Sequence, residues 1–200
     1  MLVALAVGEV PPESVQADAP ARALDRSGGL DGFLRGIGGR ALVVAELTTR
    51  DREEALDLVQ EAMLRFVRRY AQRPAEEWPA LFHRILNRAL VDWTRRAKVR
   101  AAFRFLIGRR LEEQAAEDVG LLPAPQRGPE QEAQAAELSR RLCQALAALP
   151  LRQRQVFLLR VWEGLSVEAT AQALAIGEGS VKTHLFRALA RLKEQLDGHR

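Results

Sequence analysis

The chain has 200 residues, a net charge of +4 and a single cysteine. This length holds one or two modest domains, and 48% hydrophobic with 28% charged residues is the composition of an ordinary globular protein. A lone Cys143 excludes an internal disulfide, and no cysteine–histidine cluster has the spacing of a zinc site. Alanine and leucine dominate while β-branched residues are sparse, which favours helices.

Residues 1–30 are predicted to form a disordered N-terminal tail. They are rich in proline, alanine, glycine and acidic residues and have no sustained periodicity. Their apolar start is too short for a secretory signal and the first positive residue is Arg22, so we predict a cytoplasmic protein. No apolar run approaches the ~18 residues of a membrane span, so no membrane insertion is expected.

The rest of the chain divides into two predicted helical domains. Helical periodicity runs through 31–107, stops in a proline- and glycine-rich linker at 108–130, and returns over 131–200. Neither a strand-type alternation of useful length nor an internal repeat occurs. The predicted fold is therefore all-α, with two small helical domains joined by a flexible linker, the second one a helix-turn-helix domain.

Charge is distributed unevenly along the chain. The net charge is −3 for residues 1–80, +8 for 81–110, −5 for 111–140 and +4 for 141–200. The block 81–110 contains nine basic residues against Asp92 alone, interleaved with aromatic residues. Such a basic helix is either a solvated face or a contact surface for a polyanion, and the density of charge favours the polyanion.

One predicted helix of the first domain, Arg52–Tyr70, has two distinct faces. Its core side carries Ala55, Val59, Ala62, Met63, Phe66 and Tyr70. Its opposite side carries Asp57, Gln60, Glu61, Leu64 and Arg68. A leucine among acidic and amide side chains is either solvated or covered by a binding partner. These residues alone do not distinguish between the two possibilities.

The next predicted helix, from Ala80 to about Arg96, is opened by Trp78-Pro79 and leads into the basic block. Its arginines can contact backbone phosphates. Phe82 and Trp93 are either core residues, which is the favoured interpretation, or a surface on which an unstacked base can stack.

A helix-turn-helix is predicted near the end of the second domain. Gly164 ends a helix over Leu151–Trp162, and Ser166 can cap a short helix over Val167–Leu174. The segment Ala175-Ile176-Gly177 then has the length of the turn, with its glycine expected at the tight position. A helical hairpin with a polar face is the alternative.

The last predicted helix, from about Glu178 to Leu196, has an apolar arc that faces inward. The outward set in its first turns is Ser180, Lys182, Thr183, Phe186 and Arg187. Arginine can donate two hydrogen bonds to guanine, hydroxyl groups can contact bases or phosphates, and lysine suits a phosphate. This pattern is typical of a recognition helix in the major groove.

These segments, taken in order, resemble the RNA polymerase sigma factors of the sigma-70 family, in the extracytoplasmic-function (ECF) subgroup. Ala55–Arg65 resembles region 2.2, and Leu81–Ile85 and Asp92–Arg96 resemble regions 2.3 and 2.4. The segments that resemble region 4 are Leu146–Pro150, Arg152–Arg154, Glu163–Ser166 and Gly179–Arg187.

The resemblance implies a promoter-specificity subunit that binds core RNA polymerase and promoter DNA, without a cofactor or catalytic chemistry. It implies binding to the β′ clamp helices for Asp57, Gln60, Glu61 and Leu64. Recognition and melting of the −10 element are implied for Arg84, Asn87, Arg88, Trp93, Arg95, Arg96 and Lys98. The outward set of the last helix is implied to bind the −35 element. The second domain is implied to dock also on the β flap, and an anti-sigma factor is a further expected partner.

Two other functions are weighed against this one. A stand-alone helix-turn-helix regulator would bind duplex DNA without polymerase, as a dimer on a palindrome. A small helical enzyme is disfavoured, because His83, His184 and His199 lie in no recognisable nucleophile or metal pattern and no glycine-rich phosphate loop occurs.

Overall fold

The computed structural model describes residues 29–106 and 129–197, and the regular secondary structure in these ranges is helical. The helices are α1 Gly29–Thr49, α2 Arg52–Tyr70, α3 Trp78–Leu106, α4 Pro129–Ala148, α5 Leu151–Phe157, α6 Val167–Leu174 and α7 Glu178–Asp197. A 3-10 turn precedes α3, and a π-helical turn, Leu158–Trp162, continues α5. The all-α prediction is confirmed for the described residues. The predicted tail and linker lie almost entirely outside them.

Helices α1 to α3, the N-terminal lobe, pack around an aromatic cluster. Phe33 of α1, Phe66 of α2 and Phe82 of α3 are fully buried, and their ring centroids lie 5.4 to 6.2 Å apart. The Trp78 ring packs 5.5 Å from Phe33. Tilted and edge-on aromatic pairs at these distances add to the free energy of burial. Phe82 is therefore a core residue, which confirms the favoured interpretation.

Helix α2 begins and ends at the predicted residues. The Asp51 carboxylate accepts hydrogen bonds from the backbone N–H groups of Glu53, at 2.9 Å, and Glu54, at 3.1 Å. It thereby satisfies two of the donors that a first helical turn leaves without partners. Acidic residues in the first turn and Arg68 and Arg69 in the last turn complement the helix dipole.

Helix α3 is longer than predicted, because it continues past Arg96 to Leu106. The residues after Arg96 include neither glycine nor proline before Gly108, so nothing in the sequence breaks the helix there. The basic block 81–110 is consequently one helix over most of its length.

Helices α4 to α7, the C-terminal lobe, contain the predicted helix-turn-helix. Gly164 has a φ of +70°, a left-handed conformation that ends the preceding helical segment. The Ser166 hydroxyl oxygen accepts a hydrogen bond from the backbone N–H of Ala169 at 3.0 Å and caps α6. Helix α6 spans the eight residues predicted for it, and α7 follows after a short turn.

The turn between α6 and α7 differs from the prediction at its tight position. The left-handed residue is Ala175, with φ 52° and ψ 51°, and not Gly177. The backbone N–H of Ile176 donates to the Ala171 carbonyl at 3.1 Å, which is the hydrogen bond of a Schellman motif. This motif needs its left-handed residue directly after Leu174, two residues before the glycine.

The two lobes lie against each other. Helix α6 packs across α3, and it contacts α3 more extensively than it contacts its own partner α7. Helix α1 contacts α4 as well. The buried apolar residues of both lobes form one continuous cluster. The two-faced patterns identified on α2 and α7 concern packing within each lobe, so they do not indicate this contact.

Candidate nucleic-acid and protein interfaces

The first turns of α7 carry the predicted recognition surface. Ser180, Lys182, Thr183, Phe186 and Arg187 are all exposed, Phe186 by 66%. They point away from the lobe because the opposite side of the helix is buried. A phenyl ring between a lysine and an arginine can contact an apolar base edge such as a thymine methyl group, while the cations bind phosphate or guanine.

The Thr183 hydroxyl has a defined hydrogen bond on this surface. It donates to the Gly179 carbonyl of the preceding turn at 2.9 Å. A hydroxyl has one proton, so in this rotamer Thr183 offers only acceptor lone pairs to a ligand. It can accept from a base amino group, but it must rotate to donate to a phosphate.

The predicted cations of α3 form a second surface. Arg84, Arg88, Arg95, Arg96 and Lys98 are all exposed. None of them forms an ion pair with a carboxylate in the part of the chain whose side chains the structure describes, 29–100 and 137–197. Positive charge that is left unpaired along one helix is suited to a polyanion such as a DNA strand.

Trp93 of α3 is half-buried and is oriented by a residue of α2. Its indole Nε1–H donates to the Glu54 carboxylate at 2.8 Å. This hydrogen bond to an ionised acceptor links the two helices and limits the rotation of the ring. Sequence analysis missed Glu54, whose only visible signal was its place in an acidic first turn.

Asn87 is placed differently from the other predicted residues of the −10 set. It is only 3% exposed, and its Nδ2 donates to the His83 carbonyl one turn earlier at 2.9 Å. His83 and Asn87 share the face of α3 that the C-terminal lobe covers. Asn87 is therefore buried in this arrangement, and its role at the −10 element stays a prediction.

The outward face of α2 is confirmed as exposed. Asp57, Gln60, Glu61 and Leu64 all lie on it, and Leu64 is 58% exposed. Leu56 and Val67 are exposed on the same side of the helix. We call this surface of exposed apolar, acidic and amide side chains the α2 face. A protein partner with basic and apolar residues would be complementary to it.

A buried ion cluster joins the lobes. Glu163 follows the π-helical turn of the C-terminal lobe, and its side chain is 1% exposed. Its Oε2 lies 2.9 Å from Nη2 of Arg40 on α1 and 3.4 Å from Nε2 of His83 on α3. Both partners belong to the N-terminal lobe. The only sequence signal for this cluster was a single acidic residue directly after the mostly apolar segment Val156–Trp162.

The pKa of the Glu163 carboxyl lies below its ordinary value. Burial alone would raise the pKa, because it disfavours the charged form. The nearby charges and hydrogen bonds of His83 and Arg40 outweigh burial and lower it. Glu163 is therefore an ionised group whose charge is compensated across the lobe boundary.

Two further classes of site are absent from the described residues. No helix in 29–106 or 129–197 combines the length and the apolar character needed to cross a bilayer. The same ranges contain no group of three or more His, Cys, Asp or Glu side chains placed to hold a metal ion.

An exposed recognition helix on a helix-turn-helix, together with a second unpaired basic helix, defines a helical DNA-binding protein with two lobes. The family described as Sigma-70, region 4, matches residues 139–192. The chain is 34% identical over 155 residues to the RNA polymerase sigma-E factor of Streptomyces coelicolor, covering 72% of this chain and 85% of that protein. It is 44% identical over 69 residues to the ECF RNA polymerase sigma factor SigD of Mycobacterium tuberculosis, covering 34% of this chain and 32% of that protein.

A solved structure has the same fold. The sigma factor RpoE from Bartonella quintana, in complex with the anti-sigma factor NepR, superposes with a TM-score of 0.61. It is 22% identical in sequence, and the match covers 89% of this chain and 100% of that one. The chain therefore belongs to the RNA polymerase sigma factors of the sigma-70 family, in the ECF subgroup. Membership in this family favours the sigma-factor interpretation over the stand-alone regulator.

Proposed function

We propose that this chain confers promoter specificity on core RNA polymerase through three separate surfaces, without catalytic chemistry or a cofactor of its own. In this proposal the α2 face binds the polymerase, α3 contacts and melts the −10 element, and α7 recognises the −35 element. The observation that carries the proposal is the exposed outward set of α7, on the second helix of a helix-turn-helix.

Recognition of the −35 duplex is assigned to the first turns of α7. Arg187 is placed to donate two hydrogen bonds to a guanine, and Phe186 to contact a thymine methyl group in the major groove. Lys182 and the helix N-terminus would bind phosphates and set the register. The division between base and phosphate contacts predicts which substitutions change specificity and which change affinity alone.

Melting of the −10 element is assigned to α3. Its unpaired cations would follow the backbone of the displaced strand, and Trp93 would offer a ring on which an unstacked base rests. Extruding a base costs a few kcal/mol, so a ring already held by Glu54 is better suited to receive it than a freely rotating one. Asn87 joins this surface only when the C-terminal lobe moves off α3.

Polymerase binding is assigned to the α2 face and, in part, to the C-terminal lobe. Leu64 would insert between apolar side chains of the β′ clamp helices while Asp57 and Glu61 pair with basic residues around it. The C-terminal lobe would dock on the β flap. We further propose that the protein acts in the cytoplasm and that an anti-sigma factor, such as the one bound to the structural neighbour, regulates it.

Co-purification with core polymerase tests the proposal. Leu64→Asp is expected to abolish or strongly reduce retention on core polymerase while leaving the helical circular dichroism unchanged, because the side chain is exposed. Val99→Asp is the matched control, since Val99 is an equally exposed apolar residue on a different helix, and it should retain core binding. A wild-type chain that neither binds core polymerase nor supports transcription with it would contradict the proposal.

A further inference from the structure

Helix α3 continues beyond the packed part of the N-terminal lobe. Its last buried residue is Leu90, and none of the residues 91–100 is buried. The helix still runs on to Leu106 without a glycine or proline. We call residues 95–106 the α3 extension. The side chains described for it, 95–100, are exposed except for a half-buried Ala97, so the lobe leaves this part of the helix largely uncovered.

The α3 extension carries positive charge that no carboxylate offsets. Its sequence contains no acidic residue and five cations, which are Arg95, Arg96, Lys98, Arg100 and Arg104. The first four form no ion pair with a carboxylate among the described side chains, 29–100 and 137–197. Like charges four residues apart, as at Arg96 and Arg100, destabilise a helix. A negatively charged surface would therefore stabilise the α3 extension.

The same segment also has an apolar pattern. Val99, Ala102, Phe103 and Leu106 follow the i, i+3, i+4, i+7 spacing that is typical of one helix face. Val99 is 69% exposed, which is the largest value among the exposed large apolar residues in the described part of the chain. Binding to phosphates requires cations alone. An apolar face combined with many cations is instead typical of a helix that lies in a membrane interface.

The length of the α3 extension fits the plane of a membrane surface. Twelve helical residues are about 18 Å long at 1.5 Å per residue, well short of the ~30 Å hydrocarbon core of a bilayer. An interfacial helix lies flat, with its apolar side chains just below the headgroups. Arginine and lysine can then keep their charged ends at the headgroups while their carbon stems cover apolar surface.

Anionic lipid matches this segment better than DNA or a protein does. DNA would pair with the cations but would leave the apolar pattern without a partner. Protein surfaces present charges of both signs, and the α2 face has such a mixture, whereas the α3 extension has one sign over twelve residues. A bilayer with anionic headgroups provides both a uniform negative charge and an apolar interior.

We propose that the α3 extension binds the surface of membranes that contain anionic phospholipid, with Val99 below the headgroups and the cations among them. The bound chain lies on the membrane and does not cross it. Lipid binding does not depend on the proposed function. One consequence does rest on it: because Arg95, Arg96 and Lys98 are also assigned to the −10 element, lipid and promoter DNA compete for α3.

Vesicle flotation of the full-length chain tests the proposal. Vesicles of phosphatidylcholine mixed with phosphatidylglycerol are compared with vesicles of phosphatidylcholine alone. The chain should bind the anionic vesicles at low salt, lose affinity as the salt concentration rises, and stay unbound with the neutral vesicles. A chain that binds neither kind of vesicle, or both equally, would overturn the proposal.

Uncharged substitutions at Val99 distinguish insertion from simple attraction between charges. Val99→Ser should lower the affinity for anionic vesicles roughly tenfold, and Val99→Leu should raise it up to about fourfold by burying one more methylene. Neither should change the affinity for a duplex of unrelated sequence, since both keep the charge. Leu64→Ser is the matched control, because Leu64 is an exposed apolar residue on another helix and should not affect vesicle binding. Unchanged vesicle affinity in both Val99 variants would overturn the insertion.

A charge substitution shows whether the α3 extension is the segment that binds. Arg96→Gln should lower the vesicle affinity roughly fivefold. Lys193→Gln removes the same charge from an exposed position on α7 and is the control. Equal losses in the two variants would show that net charge determines binding, and this would overturn the assignment to α3. Circular dichroism checks that each variant remains folded.

Competition provides the last measurement and separates this proposal from the proposed function. A −10 single strand added to vesicle-bound chain should release it from the vesicles. Binding to vesicles that persists at saturating strand would overturn the competition while leaving lipid binding in place. The flotation assay contains neither polymerase nor promoter, so a failure to bind vesicles would leave the proposed function intact.

Discussion

Helices α3 and α7 carry the two surfaces that the sequence predicts to bind DNA, and they differ in what surrounds them. Helix α7 buries one side in its own lobe and leaves the other side free, so all five residues predicted to face DNA are exposed. Helix α3 is contacted by its own lobe and also by α6 of the other lobe, and Asn87 is buried as a result. The difference shows that a helical wheel identifies a functional face reliably only where all the neighbours of a helix lie on one side of it.

The largest expected effect is on stability, and it should differ between two phenylalanines, one on each of these helices. Phe82→Ala removes a fully buried ring of the aromatic cluster and should lower the free energy of unfolding by about 3–5 kcal/mol. Phe186→Ala should leave stability nearly unchanged and weaken binding to a −35 duplex, because its ring is exposed. Urea denaturation followed by circular dichroism measures the first effect. A large loss of stability in Phe186→Ala would mean that α7 packs differently.

A smaller effect distinguishes base contacts from phosphate contacts on α7. Arg187→Ala should weaken binding to the −35 duplex by about 1–3 kcal/mol and relax the preference at one base pair. Lys182→Ala should weaken binding to all sequences alike. It should also reduce the slope of log affinity against log salt concentration by about 1, which corresponds to one lost phosphate contact. Fluorescence anisotropy on single-base variants of the duplex measures both. An equal loss for Arg187→Ala on every sequence would assign Arg187 to phosphate alone.

The turn that leads into α7 provides the next prediction. Ala175 is held in the left-handed region, which costs a residue with a Cβ atom about 1 kcal/mol or more. Ala175→Gly should therefore raise the free energy of unfolding by about 1 kcal/mol, as measured by urea denaturation. Ala190→Gly is the control, because the same change at an exposed position inside α7 should lower stability by a similar amount. Equal losses in both variants would refute the assigned turn geometry.

The smallest effect concerns the orientation of Trp93 on α3. Glu54→Gln weakens the acceptor of the indole hydrogen bond, and we expect roughly a two- to threefold loss of affinity for a −10 single strand, in line with an exposed hydrogen bond worth about 0.5 kcal/mol. Glu53→Gln removes the same charge from the neighbouring position and is the control. If Glu53→Gln has the same effect, net charge rather than ring orientation determines the affinity.

Local structure could be predicted from the sequence wherever it depends on neighbouring residues. The bounds of α2 follow from the Asp51 cap and from a 3.6-residue apolar pattern, and those of α6 from Gly164 and Ser166. The exposed sets on α2 and α7 follow from the same periodicity. The left-handed position of the turn could not be predicted in this way, because a preference for glycine is only statistical and the Schellman hydrogen bonds require Ala175.

The sequence by itself determined the all-helical class, the helix-turn-helix, the segregation of charge and the family, since each depends on local spacing or ordered motifs. Only the tertiary structure decided which surfaces are free. Arg40, His83 and Glu163 are far apart in the chain, and their meeting depends on how the two lobes pack against each other. The net charge of +4 does not reveal this cluster. A buried carboxylate and an exposed one each contribute −1 to the net charge, but burying the charge has a large free-energy cost that the exposed group does not have.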